Sequence, residues 1–145
     1  MNRNLYSLIL DFLQILTILF ILGTGSLFVV NILFVFQLLA ILIFVFAIWE
    51  MRRTRYYRIP DTGKQNEMVT TGVYKHIRNP MYLAELLFTG TLVLNQNNAF
   101  RIVAFMILLI DLLLKIQYEE KLLNSYFKGF KRYLKSSWRL IPYLY

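Results

Sequence analysis

Long apolar blocks, rather than stripes at strand or helix spacing, dominate the pattern along the chain. Four stand out, at about residues 5–22, 27–49, 81–94 and 99–116. The second has no charged residue, and at about 1.5 Å per residue it can cross a hydrocarbon core of roughly 30 Å. A soluble fold would have to bury that helix on every side, and 145 residues are too few to surround it. The pattern therefore predicts an all-α integral membrane bundle of about four transmembrane helices.

The first two blocks are joined by Gly23-Thr24-Gly25-Ser26 and the last two by Asn95-Gln96-Asn97-Asn98, polar turns that predict two antiparallel hairpins. The third block is short, about 14 residues where about 20 are needed to span. Its predicted start follows Asn79-Pro80, since proline suits the first turn of a helix. The chain reads as one membrane domain. Residues 1–50 form an N-terminal hairpin, and 51–145 hold a polar loop, the second hairpin and a C-terminal helix in a basic tail.

Charge orients this bundle. Arg52, Arg53, Arg55, Arg58, Lys64, Lys75 and Arg78 lie between the hairpins. Lys121, Lys128, Lys131, Arg132, Lys135 and Arg139 follow the last block, while the two turns carry only Arg101. With four spans, both basic stretches and both termini share one side, and the positive-inside rule makes it cytoplasmic. That placement accounts for the net charge of +8 without a nucleic-acid partner. The apolar fraction of 58% exceeds the roughly 45–50% of soluble chains. The absence of cysteine excludes thiolate metal sites and cysteine nucleophiles, and the single histidine, His76, gives little scope for a metal centre. Asp11 and Gln14 in the first block, with only Arg3 before it, favour a retained helix over a cleaved signal.

Ionisable residues at membrane depth mark a function or a partner. Glu85 lies about one turn into the third block, Asp111 and Lys115 in the last turns of the fourth, and Glu119-Glu120 directly after it. In an antiparallel pair all fall within roughly 12 Å of one boundary, and Asp11 enters to a similar depth. Asp111 and Lys115, four apart, either pair with each other or serve a site. Glu119-Glu120 is either a solvated helix end or part of that site. His76 reads as an ordinary surface histidine. Glu85 requires a buried partner such as Arg78 or Lys115, or the charge of a ligand.

The run Thr71-Gly72-Val73-Tyr74-Lys75-His76-Ile77-Arg78-Asn79-Pro80-Met81-Tyr82 resembles the signature of isoprenylcysteine carboxyl methyltransferases and their bacterial relatives, related to phospholipid methyltransferases. An apolar hairpin, the pair Glu119-Glu120, an aromatic and basic tail and Ile141-Pro142 follow in the same order, so the resemblance covers about residues 60–142. It implies a membrane enzyme that takes S-adenosylmethionine at the cytosolic face, between the last two spans and the tail. By position, cofactor contacts would come from Asn66, Glu67, Met68, Val69, Tyr74, Asn79, Pro80, Met81, Tyr82, Glu119 and Glu120. Lys115 stands where eukaryotic members place an arginine for the substrate carboxylate, and an ammonium lacks its two-pronged donor geometry. Asn79 replaces a histidine, Ala84 a glycine, and the tail pattern is blurred to Tyr126, Phe130 and Tyr133.

The residues fit that chemistry. No Gly-x-Gly-x-x-Gly is present, so the cofactor has no Rossmann site. Glu120 and Arg78 have charges complementary to its amino-acid end, and Tyr82 offers an aromatic face to its sulfonium. A carboxylate or thiolate acceptor needs no base, whereas an amine does, and Glu85 or Glu119 could serve. Arg78, Lys115 and Glu85 form the candidate catalytic set. The expected reaction is methyl transfer to a lipid-like or prenylated acceptor, of isoprenylcysteine type, with membrane lipids as the other partners and no metal. A phospholipid amine N-methyltransferase, a membrane reductase with a nicotinamide cofactor and a non-enzymatic membrane protein are the competing classes. The tail, with Tyr126, Phe130, Tyr133 and Trp138, reads as an interfacial anchor or a lid.

Overall fold

The computed structural model describes residues 5–53, 69–127 and 129–142. Within them the chain is all helical: α1 (Leu5–Gly23), α2 (Leu33–Arg53), α3 (Pro80–Asn95), α4 (Ala99–Tyr126) and α5 (Phe130–Ser136). A 3₁₀ turn, Gly72–Lys75, precedes α3. The only extended pairing among the described residues is a parallel bridge between Ile77 and Trp138.

α1 and α2 are long and apolar enough to cross a bilayer. Only 17% and 22% of their apolar windows are buried, the opposite of a soluble core helix. Phe12, Leu19 and Val45 face outward, a surface that suits lipid and would aggregate in water. α3 has 16 residues, so it rises about 24 Å, short of a full hydrocarbon core. Pro80 takes its first turn, as expected from Asn79-Pro80. α4 runs for 28 residues, well past residue 116, because the following Gln117–Leu123 stretch consists mainly of good helix formers. Glu119 and Glu120 are therefore within the helix rather than beyond its end.

The start of α2 corrects the sequence reading. The apolar block opens at residue 27, yet the helix begins at Leu33. Gln37, 3% exposed, donates from Nε2 to the Leu27 carbonyl at 2.7 Å and accepts from Val29 N–H at 3.4 Å, holding 27–29 outside the helix. Asn31 Oδ1 accepts from Leu33 N–H at 2.9 Å, and its Nδ2 donates to Asn95 Oδ1 at 3.2 Å. Two polar side chains thus override a continuous apolar run. Asn31→Ala removes both bonds, with an expected loss of about 1 kcal/mol in detergent unfolding measurements. An unchanged midpoint would show that Asn31 does not set the helix start.

Packing does not follow chain order. The main partner of α1 is α4, and that of α2 is α3, so the two N-terminal helices pack on the two C-terminal ones rather than on each other as the expected hairpin would. α1 and α4 are antiparallel: Asp11 meets Lys115 at one end, and Arg101 donates to the Ile21 carbonyl at 3.1 Å at the other. α2 and α3 are antiparallel too, with Asn31 near Asn95 and Glu50 near Thr71. The core of Ile21, Val29, Leu92, Val93, Ala104, Leu108 and Leu112 fills the half of the bundle toward the turns. The polar side chains gather at the other end.

Candidate active site

Three layers build that end. The outermost is a latch at the foot of α2. Glu50, 7% exposed, accepts a hydrogen bond from the Thr71 hydroxyl. Gly72 sits beside it with φ +58, a left-handed conformation, and a Cβ there would lie 2.7 Å from the Glu50 carboxyl carbon. Glycine is required twice over, for backbone and for space.

The second layer clasps the tail to residues 76–79. Arg78 N–H donates to the Trp138 carbonyl at 2.8 Å, Trp138 N–H to His76 at 2.9 Å, and Asn79 N–H to Arg139 at 3.2 Å. The Asn79 amide adds a bond to the same Arg139 carbonyl at 3.1 Å. Arg78 Nε donates to Glu120 Oε1 at 2.9 Å, while its Nη1 donates to the carbonyls of Leu134, at 3.1 Å, and Ser137. Arg139 takes the other Glu120 oxygen, Nε at 3.0 Å and Nη2 at 2.9 Å. Glu120 is thus gripped by two guanidiniums from opposite sides, with the Arg78 and Glu120 side chains only 10% and 12% exposed. Such charge-assisted bonds in a half-dry setting are stronger than surface pairs. α5 turns Phe130 and Tyr133 inward, and the Tyr133 hydroxyl donates to the Tyr74 carbonyl. Burial pushes that phenol up to about 12, so it remains a donor at neutral pH.

The third layer lies at membrane depth. Lys115 pairs with Asp11 of α1 at 2.5 Å and donates to Gln14 Oε1. Gln14 Nε2 donates in turn to Glu85 Oε2 at 2.7 Å. Tyr82 donates to Glu119 Oε1 at 2.7 Å, and the Lys115 ammonium is 5.9 Å from its ring. In this layer Glu85 Oε1 and both oxygens of Asp111 lack hydrogen-bond partners among the described residues, as Arg101 Nε does at the opposite end of the bundle.

These placements sort the residues singled out in the sequence. Arg78, Asn79, Tyr82, Glu119 and Glu120 converge, and so do Glu85 and Lys115 one layer deeper. Val69 and Pro80 are buried, Met81 is half-buried beside them, and Tyr74 lends its carbonyl to the tail. Asn66, Glu67 and Met68 lie outside the described residues. Glu85 finds its partner in Gln14 rather than Arg78 or Lys115, because α1 packs between them. Lys115 makes its ion pair with Asp11, not with Asp111. Glu119 and Glu120 are engaged side chains rather than a solvated helix end. His76 is exposed, as a surface histidine. Gln14, Glu50, Ser137 and Arg139 were not foreseen. A polar residue three after Asp11 in an apolar helix was the available signal for Gln14. A cleft of about 340 Å³ opens beside the clasp, lined by Gln117, Glu120, Lys121, Asn124, Leu134 and Arg139.

A bundle with apolar outer helices and a charged, partly unsatisfied end is the form of an enzyme that works at a bilayer face. The model of the phospholipid methyltransferase family matches residues 17–129, most of the chain. No curated protein and no solved structure matches. The chain belongs to the phospholipid methyltransferase family, whose members are membrane methyltransferases acting on lipid-like substrates.

Proposed function

We propose that the chain is an S-adenosylmethionine-dependent methyltransferase that modifies the amino headgroup of a membrane lipid at the cytosolic face. In this reading the chain crosses four times, with residues flanking α3 making up the length that helix lacks, and both termini and the site are cytoplasmic, the side on which the basic stretches fall. The observation that carries it is the gathering of 78–82, 119–120 and the deeper carboxylates at one end of the bundle.

The fit to the cofactor rests on charge. S-adenosylmethionine supplies, when bound, an electrophilic methyl on a positive sulfonium. Tyr82 offers an aromatic face to that positive charge, and Glu119, held by the Tyr82 hydroxyl, places a carboxylate beside it. The polar cleft beside Glu120 suits an amino-acid end, and buried Val69 supports an apolar adenine slot. Arg78 acts here by fixing Glu120 and the tail, since its guanidinium is already committed to protein oxygens. The chain's main task is alignment of donor and acceptor. An ammonium acceptor must first lose a proton, and Glu85 Oε1 can accept it.

The charge balance favours an amine acceptor. Among the described residues at membrane depth, three acids, Asp11, Glu85 and Asp111, stand against one cation, Lys115, whose direct ion pair is with Asp11. A carboxylate acceptor of isoprenylcysteine type would need Lys115 released from Asp11; the signature at 71–82 supports that second reading. In lipid nanodiscs with a radiolabelled methyl donor, label should enter phosphatidylethanolamine and not a prenylcysteine peptide. Label in the peptide alone would establish the second reading. No transfer to either, with no heat of binding for S-adenosylhomocysteine, would end both.

A further inference from the structure

Asp111 is the least explained group in the molecule. It is 1% exposed, and neither carboxylate oxygen has a hydrogen-bond partner among the described residues. A buried carboxylate left in this state is costly, more so at membrane depth, where ionisable groups persist for a function. The sequence even provides a partner. Lys115 follows four residues later on the same helix, in the favourable order of acid before base. The fold withdraws it: Asp11 at 2.5 Å and the Gln14 amide oxygen draw the ammonium toward α1. Glu85, across from α4 on α3, keeps one oxygen for Gln14 and leaves Oε1 unpartnered. Glu85 and Asp111 are close enough to interact electrostatically.

We propose that Asp111, with Glu85 Oε1 opposite, forms a buried binding site for the cationic nitrogen of the acceptor headgroup. The site rests on the reading of the chain as a lipid amine methyltransferase, and it assigns the selection of acceptor charge to Asp111. The Asp111 carboxylate and Glu85 Oε1, which receive no donor from the described residues, accept whatever the ligand brings, N–H bonds from an ammonium or the bare charge of a quaternary one. They repel a carboxylate. Lys115 makes its direct ion pair with Asp11 on the side toward α1, which leaves Asp111 and Glu85 without a directly paired cation among the described residues. Asp111 lies about 6 Å deeper than Lys115, below Tyr82 and Glu119, so the nitrogen is drawn inward past the polar rim.

The test uses the whole chain in nanodiscs and the substitution Asp111→Asn, which keeps shape and removes charge. Direct binding is measured by calorimetry for a short-chain phosphocholine lipid, with the matching phosphoglycerol lipid, which keeps the phosphate and lacks the cation, as the control. The wild type should prefer phosphocholine, and Asp111→Asn should weaken that binding on the order of tenfold or more without altering the control. The KM for the amine lipid should rise in parallel, with S-adenosylhomocysteine affinity retained. The melting temperature should hold or rise, because an unpartnered buried charge is being removed. Equal phosphocholine binding by the two proteins overturns the proposal. So does a fall of more than about 5 °C in melting temperature, which would reveal a structural partner for Asp111. If the wild type binds phosphocholine through Asp111 but transfers no methyl group, the enzyme reading fails and the cation site stands.

Discussion

Glu120→Ala should release the C-terminal segment and abolish methyl transfer. The substitution leaves Arg78, about nine-tenths buried, with carbonyls and the Ser137 hydroxyl but no carboxylate from Glu120, and leaves Arg139 without that carboxylate too. Breaking a fully buried pair costs about 3–5 kcal/mol, and the residual exposure here reduces that to about 2–3 kcal/mol. Limited proteolysis should then cut near residues 128–139 at concentrations that spare the wild type. Glu120→Gln, whose single amide oxygen can still accept from one of the two arginines, should lie between the two. The comparison also separates two roles. Lost activity with an intact melting temperature and a protected tail would make Glu120 a direct ligand of the cofactor rather than the pin of the clasp.

Gly72→Ala should be the most destabilising change outside the core. An alanine at φ +58 costs about 1–2 kcal/mol in backbone strain. Its Cβ, 2.7 Å from the Glu50 carboxyl, adds about 1–3 kcal/mol unless Glu50 retreats from Thr71. The expected sum is about 2–5 kcal/mol, read from unfolding in detergent, with activity reduced because residues 74–79 shift with the turn. Glu50→Ala in the same chain should recover the steric part and leave the backbone part. Equal losses with and without Glu50 would show that the clash is relieved elsewhere.

Much of this architecture is legible from residues. The helices announce themselves through missing charges, and Asn79-Pro80 marks the start of α3. The gathering of Glu85, Asp111, Lys115, Glu119 and Glu120 at one end follows from antiparallel geometry alone. Partnerships are another matter. Lys115 has Asp111 four residues away yet pairs with Asp11, more than a hundred residues distant, because α1 packs on α4. No local pattern carries that preference. Arg78 and Glu120 were expected to face the two charged ends of a ligand, and they face each other. Sequence shows that opposite charges are present near a site; it does not show whether a ligand or the protein completes them. The late start of α2 has the same origin, since the preference of Gln37 for the Leu27 carbonyl is a property of the folded connection.

The seating of α1 against α4 also bears on how this protein comes into being. The deep polar layer is built from residues far apart in the chain, Asp11 and Gln14 on α1 and Lys115 on α4. During synthesis α1 is made with an acid and an amide whose partner arrives only with α4. Closing so long a loop is slow compared with forming any one helix. The nascent chain therefore has no finished polar layer until α4 has left the ribosome.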